Sequence, residues 1–323
     1  MITAATLAEL HRHGIEKACV ACGVFDGVHR GHQEVLTNLL ELGRDTHSFP
    51  VALTFEPHPR AVLVPSEAPP RLTLPRQKLC LLARYGVRGA IVVDFNRQVA
   101  SLGPDAFLER FLLRGDVQLA GVCVGRDWHF GAGGRGDVDL LVDRSRQGRR
   151  FALRPVPEVR IDGVEVGSTA VREALHAGDL NRAATFLGRP YTVEGTVERG
   201  RGFGGSGLGC PTANIRPEGQ MLPATGVYAV RVRLLDRNFG PADRICRSGD
   251  WAHGSDEGWL DGIAYVGSSP TFQNDQAPNI LEVHVFDRQE DLYGAGMDVA
   301  FVKRIRPDRK FPGVAARARK MRA

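Results

Sequence analysis

From residue 17 to 188, apolar runs alternate with segments whose apolar positions recur every three to four residues. "KACVACGVF" (17–25) predicts a strand, and "HQEVLTNLLELGR" (32–44) a helix with Val35, Leu36, Leu39 and Leu40 on one face. "PVALTFEPHP" (50–59) predicts a strand that runs out into a Pro-punctuated loop. Then follow a helix in "PRQKLCLLARYG", a strand in "GAIVVDF", a helix in "GPDAFLERFLLRG" and a strand in "LAGVCVG". Strands that are apolar throughout, separated by helices, predict βαβ units and a parallel sheet covered on both faces. "STAVREALHAGDLNRAATFLG" (168–188) predicts two short helices joined at Gly178–Asp179, with Ser168 or Thr169 as N-cap.

After Gly188 the period changes. "YTVEGTVERG", "GVYAVRVRLLD", "WLDGIAYVG", "ILEVHVFD" and "MDVAFVKRIR" are strand-like, several alternate strictly, and turn residues separate them. No long helix is predicted among them. This half reads as an all-β unit, a small barrel or sandwich, and the change places a domain boundary between 187 and 188. The polar, Gly-rich stretch from 236 to 258 predicts a long surface loop.

Composition adds limits. The 323 residues suffice for two cores, and 43% hydrophobic with 24% charged is ordinary for a globular chain. A net charge of +5 suits an anionic ligand, but no Lys/Arg run reaches the size of a nucleic-acid-binding tail. With no 18-residue apolar stretch and no leader pattern, the expectation is a cytoplasmic protein without membrane segments. Six cysteines are too few for a disulfide framework. Cys19 and Cys22 have redox or zinc spacing, but three residues apart on a strand they face opposite ways and read as small apolar residues.

The chemistry concentrates in "GVFDGVHRGH" (23–32), where a predicted strand ends and a helix begins. Such a turn lies at the carboxyl edge of a parallel sheet, where α/β proteins bind ligands. Gly27 and Gly31 allow close backbone approach, the new helix offers N–H groups to phosphate oxygens, and His29 and His32 can donate to charge developing on a phosphoryl group. The plainer readings are a solvated turn or a structural histidine pair; two histidines alone make a poor zinc site. "GAGGRG" (131–136) and "GFGGSG" (202–207) both satisfy GxGxxG, but neither sits between a strand and a helix. The second suits a backbone cradle for phosphates.

"GVFDGVHRGH" resembles the HxGH signature of the nucleotidylyltransferases, in the form found in bacterial bifunctional riboflavin kinase/FMN adenylyltransferases, the FAD synthetases. "TFEPHP", "VGRDWHFGAGGRGD" and "GSTAVREAL" follow in that family's order, and "LGCPTANI", "GIAYVGSSPTF" and "LEVHVFDRQEDLYG" are similar to its kinase half. The resemblance spans roughly residues 20 to 311, and linked motifs in one order are more specific than any one alone. It implies a Rossmann-like N-terminal domain (1–187) that adenylylates FMN to FAD, and a β-barrel domain (188–323) that phosphorylates riboflavin to FMN. ATP would be co-substrate of both, with Mg²⁺.

In the first half the resemblance gives His29 and His32 the transferring phosphate, and Ser168, Thr169 and Arg172 the ATP phosphates. Gly23, Phe25, Asp26 and Gly31 would line the nucleotide pocket, with Phe55, His58, Pro59 and Asp127 on the flavin side; core packing is the plainer reading of Phe55. In the second half Gly202, Gly209 and Thr212 would meet ATP, Thr212 and Asn214 would hold Mg²⁺ through oxygen, and Glu282 would be the general base. Glu282, His284 and Phe286 share one strand face, with Leu281, Val283 and Val285 on the other, so a solvent-facing glutamate is the plainer reading there. Gly167, Cys210, Ser269 and Arg288 depart from the family pattern. The competing readings are a kinase with a weak adenylyltransferase half and a non-catalytic flavin or nucleotide sensor. A different HxGH adenylyltransferase would leave the β-half unexplained. The implied partners are small molecules, neither nucleic acid nor membrane, and a homo-oligomer stays open.

Overall fold

The four apolar runs of the first half fold as strands of a six-stranded parallel sheet, β1 (Ile2–Ala4), β2 (Lys17–Cys22), β3 (Phe49–Glu56), β4 (Gly89–Asp94), β5 (Gln118–Gly125) and β6 (Ala152–Val156), in which β1 and β6 are the two additions. This is a computed structural model, and it describes residues 1–147, 151–198, 212–235, 258–268, 279–288 and 292–307. The strand order is β1-β4-β3-β2-β5-β6, with every pairing parallel. From β2 the chain adds strands outward to β3 and β4, then returns to place β5 on the other side of β2. The order therefore reverses between β2 and β5, which is where open α/β sheets bind ligands, at the carboxyl ends of the strands.

The sheet is buried on both faces, which is why its central strands carry apolar residues at consecutive positions. Cys19 and Ala21 of β2, with Ala52 and Cys123, pack against Val35, Leu36, Leu39 and Leu42 of α1 (Arg30–Asp45) and Leu81 and Leu82 of α3 (Pro75–Arg84). Ala18, Val20 and Cys22 face the other way, into a cluster with Leu53, Ile91, Phe107 and Phe111. Cys19 and Cys22 thus lie on opposite faces of β2. Shorter helices α2 (Pro59–Leu63), α4 (Arg97–Ala100), α5 (Pro104–Leu108) and α6 (Val138–Arg146) fill the connections. The helix read over 103–115 divides: after α5 the chain widens into a π-helical turn, Glu109–Leu113. A small hairpin, β7 (Arg160–Ile161) with β8 (Val164–Glu165), precedes α7 (Ser168–Ala177) and α8 (Leu180–Leu187).

The second half is a closed antiparallel barrel of β9 (Tyr191–Glu198), β10 (Ala213–Arg216), β11 (Gly226–Leu235), β12 (Leu260–Ser268), β13 (Asn279–Val285) and β14 (Gly296–Pro307), ordered β10-β13-β12-β11-β14-β9. Alternation along each strand fills its interior: Tyr228, Val230, Val232, Ala264, Val266, Leu281, Val283, Met297, Val299 and Phe301 are all buried, with Tyr228 edge-on to Phe301. The chain forms two compact units, the first running from Met1 to Ser168 and the second beginning at Thr169. Within the second, α8 packs on β9 and β14, and the Ala224 N–H donates to the Leu175 carbonyl of α7 at 3.0 Å. The glycine-rich 202–207 stretch and residues 236–257 of the long loop lie outside the described residues.

Candidate functional site

Immediately after β2 the backbone enters the left-handed region three times in four residues: Phe25 (φ 54°), Gly27 (φ 82°) and Val28 (φ 40°). Only the glycine adopts this freely; for an aromatic and a β-branched residue the conformation costs on the order of 1–3 kcal/mol each and persists only where surroundings impose it. Here they do. Phe25 and Val28 are fully buried, and the Val24 carbonyl accepts from Thr54 Oγ1 (2.9 Å) and Lys78 Nζ (3.3 Å). Ser168 Oγ donates to the Asp26 carbonyl (2.9 Å), and Gln33 Nε2 to that of Val28 (2.9 Å).

The turn delivers the chain into α1. His29 is its N-cap: Nδ1 accepts from the His32 N–H at 3.4 Å, which leaves Nε2 as the donor nitrogen of the ring. The two imidazoles stack with centroids 3.6 Å apart, and Phe25 meets the His32 ring edge-on at 5.1 Å. Gly31 sits between the histidines because nothing larger fits. A Cβ there would lie 2.9 Å from the Val166 carbonyl oxygen and 3.2 Å from the His29 ring. A Cβ at Gly23 would meet the Phe25 ring at 3.2 Å.

Phe55, His58, Pro59 and Asp127 sit at or just past the carboxyl ends of β3 and β5, the same edge of the sheet. Phe55, near the end of β3, is buried against Phe95 and Phe107. His58 caps α2 by accepting from the Arg60 N–H (3.1 Å), with Pro59 at its first position. Asp127 follows β5 and is exposed, its carboxylate grouped with those of Glu158 and Glu165. Ser168 is the first residue of α7 and not its cap; Thr169 is exposed and Arg172 half-buried on that helix. "GAGGRG" is a loop around a short 3-10 turn, Ala132–Gly134, closed by a bridge between Phe130 and Gly136.

In the barrel, Thr212 precedes β10 and Asn214 lies on it, both half-buried, while Ala213 and Ile215 turn inward. Register sets Asn214 opposite Glu282 of β13, and Tyr265 of β12 flanks Glu282 on its other side. A hydroxyl, an amide oxygen and a carboxylate are hard oxygen donors of the kind Mg²⁺ takes. Gly202 and Gly209 lie outside the described residues.

Sequence reading missed the partner of Asp26. Its carboxylate, 6% exposed, accepts from the N–H groups of Leu72 (3.0 and 3.1 Å) and Thr73 (3.0 Å) and from Thr73 Oγ1 (3.1 Å). Thr73 Oγ1 in turn accepts from the Gly27 N–H at 3.1 Å. Lys78 is buried nearby; desolvation holds its ammonium below the usual lysine range, against the opposing pull of Glu56 and Asp26.

A family model described as FAD synthetase matches residues 11–170, and one described as riboflavin kinase matches residues 187–323. A bifunctional riboflavin kinase/FMN adenylyltransferase of Pseudomonas fluorescens is 34% identical over 301 residues, covering 93% of this chain and 88% of its own length. The protein of that name from Escherichia coli K12 is 35% identical over 297 residues, covering 92% and 87%. A solved structure titled as a macrolide-efflux protein from Streptococcus pneumoniae has a TM-score of 0.78 at 25% identity, covering 99% of this chain and 96% of its own. The efflux in that title is said of that protein; among the described residues here, no helix is long and apolar enough to cross a membrane.

Proposed function

The chain belongs to the bifunctional riboflavin kinase/FMN adenylyltransferase family, and on that premise we propose how its residues divide two reactions between two sites. It phosphorylates riboflavin with ATP to give FMN, and joins FMN to the adenylyl group of ATP to give FAD and pyrophosphate. The observation that carries the assignment is topological: "GVFDGVHRGH" and "VGRDWHFG" leave the carboxyl ends of β2 and β5, the adjacent strands where sheet order reverses.

Adenylyl transfer belongs to residues 1–187. The FMN phosphate attacks the α-phosphorus of ATP, so positioning and charge stabilisation outweigh covalent chemistry. His29 and His32 donate to the developing charge, with Nε2 of His29 held as the N–H by its capping bond. Amides at the start of α1, with Ser168, Thr169 and Arg172, receive the ATP phosphates. Gly23, Phe25 and Gly31 shape the nucleotide side, and Asp26 acts from behind the turn through Leu72 and Thr73. Phe55, His58, Pro59 and Asp127 serve the flavin side.

Riboflavin phosphorylation belongs to residues 188–323. Glu282 takes the 5′-hydroxyl proton. Thr212 and Asn214 would hold Mg²⁺, which when bound neutralises phosphate charge. A cytoplasmic location fits two reactions that consume ATP. The test is a chromatographic time course of the whole protein with ATP and Mg²⁺, begun from riboflavin and separately from FMN. FMN appearing before FAD supports the reading. FMN accumulating with no FAD from either start would leave a kinase alone, and neither product would favour a sensor.

A further inference from the structure

The geometry points to Arg71–Lys78 as a brace that sets the phosphate-binding turn, with Thr73 and Lys78 as positioning residues for adenylyl transfer. This rests on the reading that His29 and His32 serve that reaction. The turn before those histidines holds two non-glycine residues in left-handed conformations, so its shape is imposed from outside. The segment supplies much of that constraint, and its bonds converge on the turn's own polar groups.

Thr73 closes a two-way link that only a hydroxyl can make. Its oxygen donates to the Asp26 carboxylate (3.1 Å) and accepts from the Gly27 N–H (3.1 Å), while its own N–H and that of Leu72 donate to the same carboxylate. Asp26 and Gly27 are thus fixed from one residue 46 to 47 positions away. Lys78 works on the strand ends. Nζ donates to the Val24 carbonyl (3.3 Å) just past β2 and to the Phe55 carbonyl (3.2 Å) in β3, tying the start of the histidine turn to the strand that leads to His58. Arg71, at the start of the segment, pairs with Glu56 at 2.7 Å, two residues before His58. One short segment therefore holds both the nucleotide-side turn and the flavin-side loop.

The test uses the full chain, because riboflavin phosphorylation by the same molecule is an internal control. Thr73→Val keeps the shape of the side chain and removes both hydroxyl bonds; Thr73→Ser keeps both; Lys78→Met removes the ammonium from a matching stem. We measure kcat and KM for FAD formation from FMN and for FMN formation from riboflavin, with circular dichroism on each preparation. Thr73→Val and Lys78→Met should lower kcat for FAD formation by roughly tenfold to 100-fold, the scale of a displacement of about 1 Å at the reacting groups. KM for FMN should change less than kcat, FMN formation should hold, and Thr73→Ser should recover most of the rate.

Thr73→Val retaining native kcat would overturn the brace. So would Thr73→Ser losing as much as Thr73→Val, or Thr73→Val losing both activities together with its folded spectrum. His32→Ala separates this failure from failure of the underlying reading. If it leaves FAD formation intact, the histidine assignment falls whatever Thr73 does. If it abolishes FAD formation while Thr73→Val and Lys78→Met are neutral, the brace falls alone.

Discussion

Asn214 and Glu282 are direct cross-strand partners on the outer face of the barrel. The flanking pairs Ala213 with Val283 and Ile215 with Leu281 fill its interior. In an antiparallel ladder such partners have Cβ atoms about 4.5–5.5 Å apart, so strand register alone brings together residues 68 positions apart in the chain. Glu282→Gln keeps the size and hydrogen-bonding reach of that side chain and removes its basicity. FMN formation should fall by about 100-fold to 10,000-fold, while FAD formation from supplied FMN holds. Chromatographic initial rates check this, and a native rate of FMN formation would remove Glu282 from the base role.

Gly31 makes a steric prediction in the other half. The Cβ of Gly31→Ala would stand 2.9 Å from the Val166 carbonyl oxygen and 3.2 Å from the His29 ring. The carbonyl is backbone, and the ring is held by its capping bond and its stack on His32, so neither gives way cheaply. FAD formation should drop by roughly tenfold or more, because the displaced group is one of the two histidines. Riboflavin phosphorylation should persist. FAD formation at the native rate would show that the turn tolerates the displacement.

What the sequence disclosed follows from how locally each feature is encoded. β2, β3, β4 and β5 were legible because a strand buried on both faces is apolar at successive positions, and the opposed burial of Cys19 and Cys22 follows from period two. β1 has three residues and β6 carries Arg154 and Pro155, so neither shows an apolar run. Four-residue β10 was read as a motif and not as a strand, yet its pairing with both β9 and β13 helps close a barrel that the pattern left open to being a sandwich. The histidine turn announced itself through adjacent residues. Its link to Leu72 and Thr73 did not, since "RLTLPRQK" reads locally as a helix start and gains its role only from the tertiary meeting with Asp26.

Gly167, which the resemblance marks as a departure from the family pattern, stands just before Ser168 opens α7. A Cβ built there meets nothing within 4 Å. Gly167→Ser should therefore be accepted without rearrangement, and at the position preceding the helix it should raise stability by about a few tenths of a kcal/mol. Because a Cβ at this position displaces nothing, FAD formation should stay at the native rate. Thermal melts and initial rates check both. A several-fold gain in FAD formation would instead mean that the glycine weakens the adenylyltransferase half.

Among the described residues, the buried thiols make a prediction in pH. Burial raises the thiol of Cys123 from 9.0 to about 12, and it raises Cys19 and Cys22 in the same direction. A thiol whose folded value exceeds its unfolded one favours folding below the unfolded value. That contribution is lost as pH rises from about 9 through the folded value, because the unfolded chain releases the proton first. Urea unfolding midpoints should therefore fall as pH is raised above about 9, less steeply in Cys123→Ala than in the native protein. At about pH 8 the three thiols also lack the thiolate form that reacts, whereas Cys80 is only half-buried. Iodoacetamide followed by peptide mass mapping should label Cys80 in the folded protein and reach Cys19, Cys22 and Cys123 only after denaturation. Labelling of Cys123 at the rate of Cys80 in the folded protein would show that the sheet beside α1 opens to solvent, contrary to its complete burial.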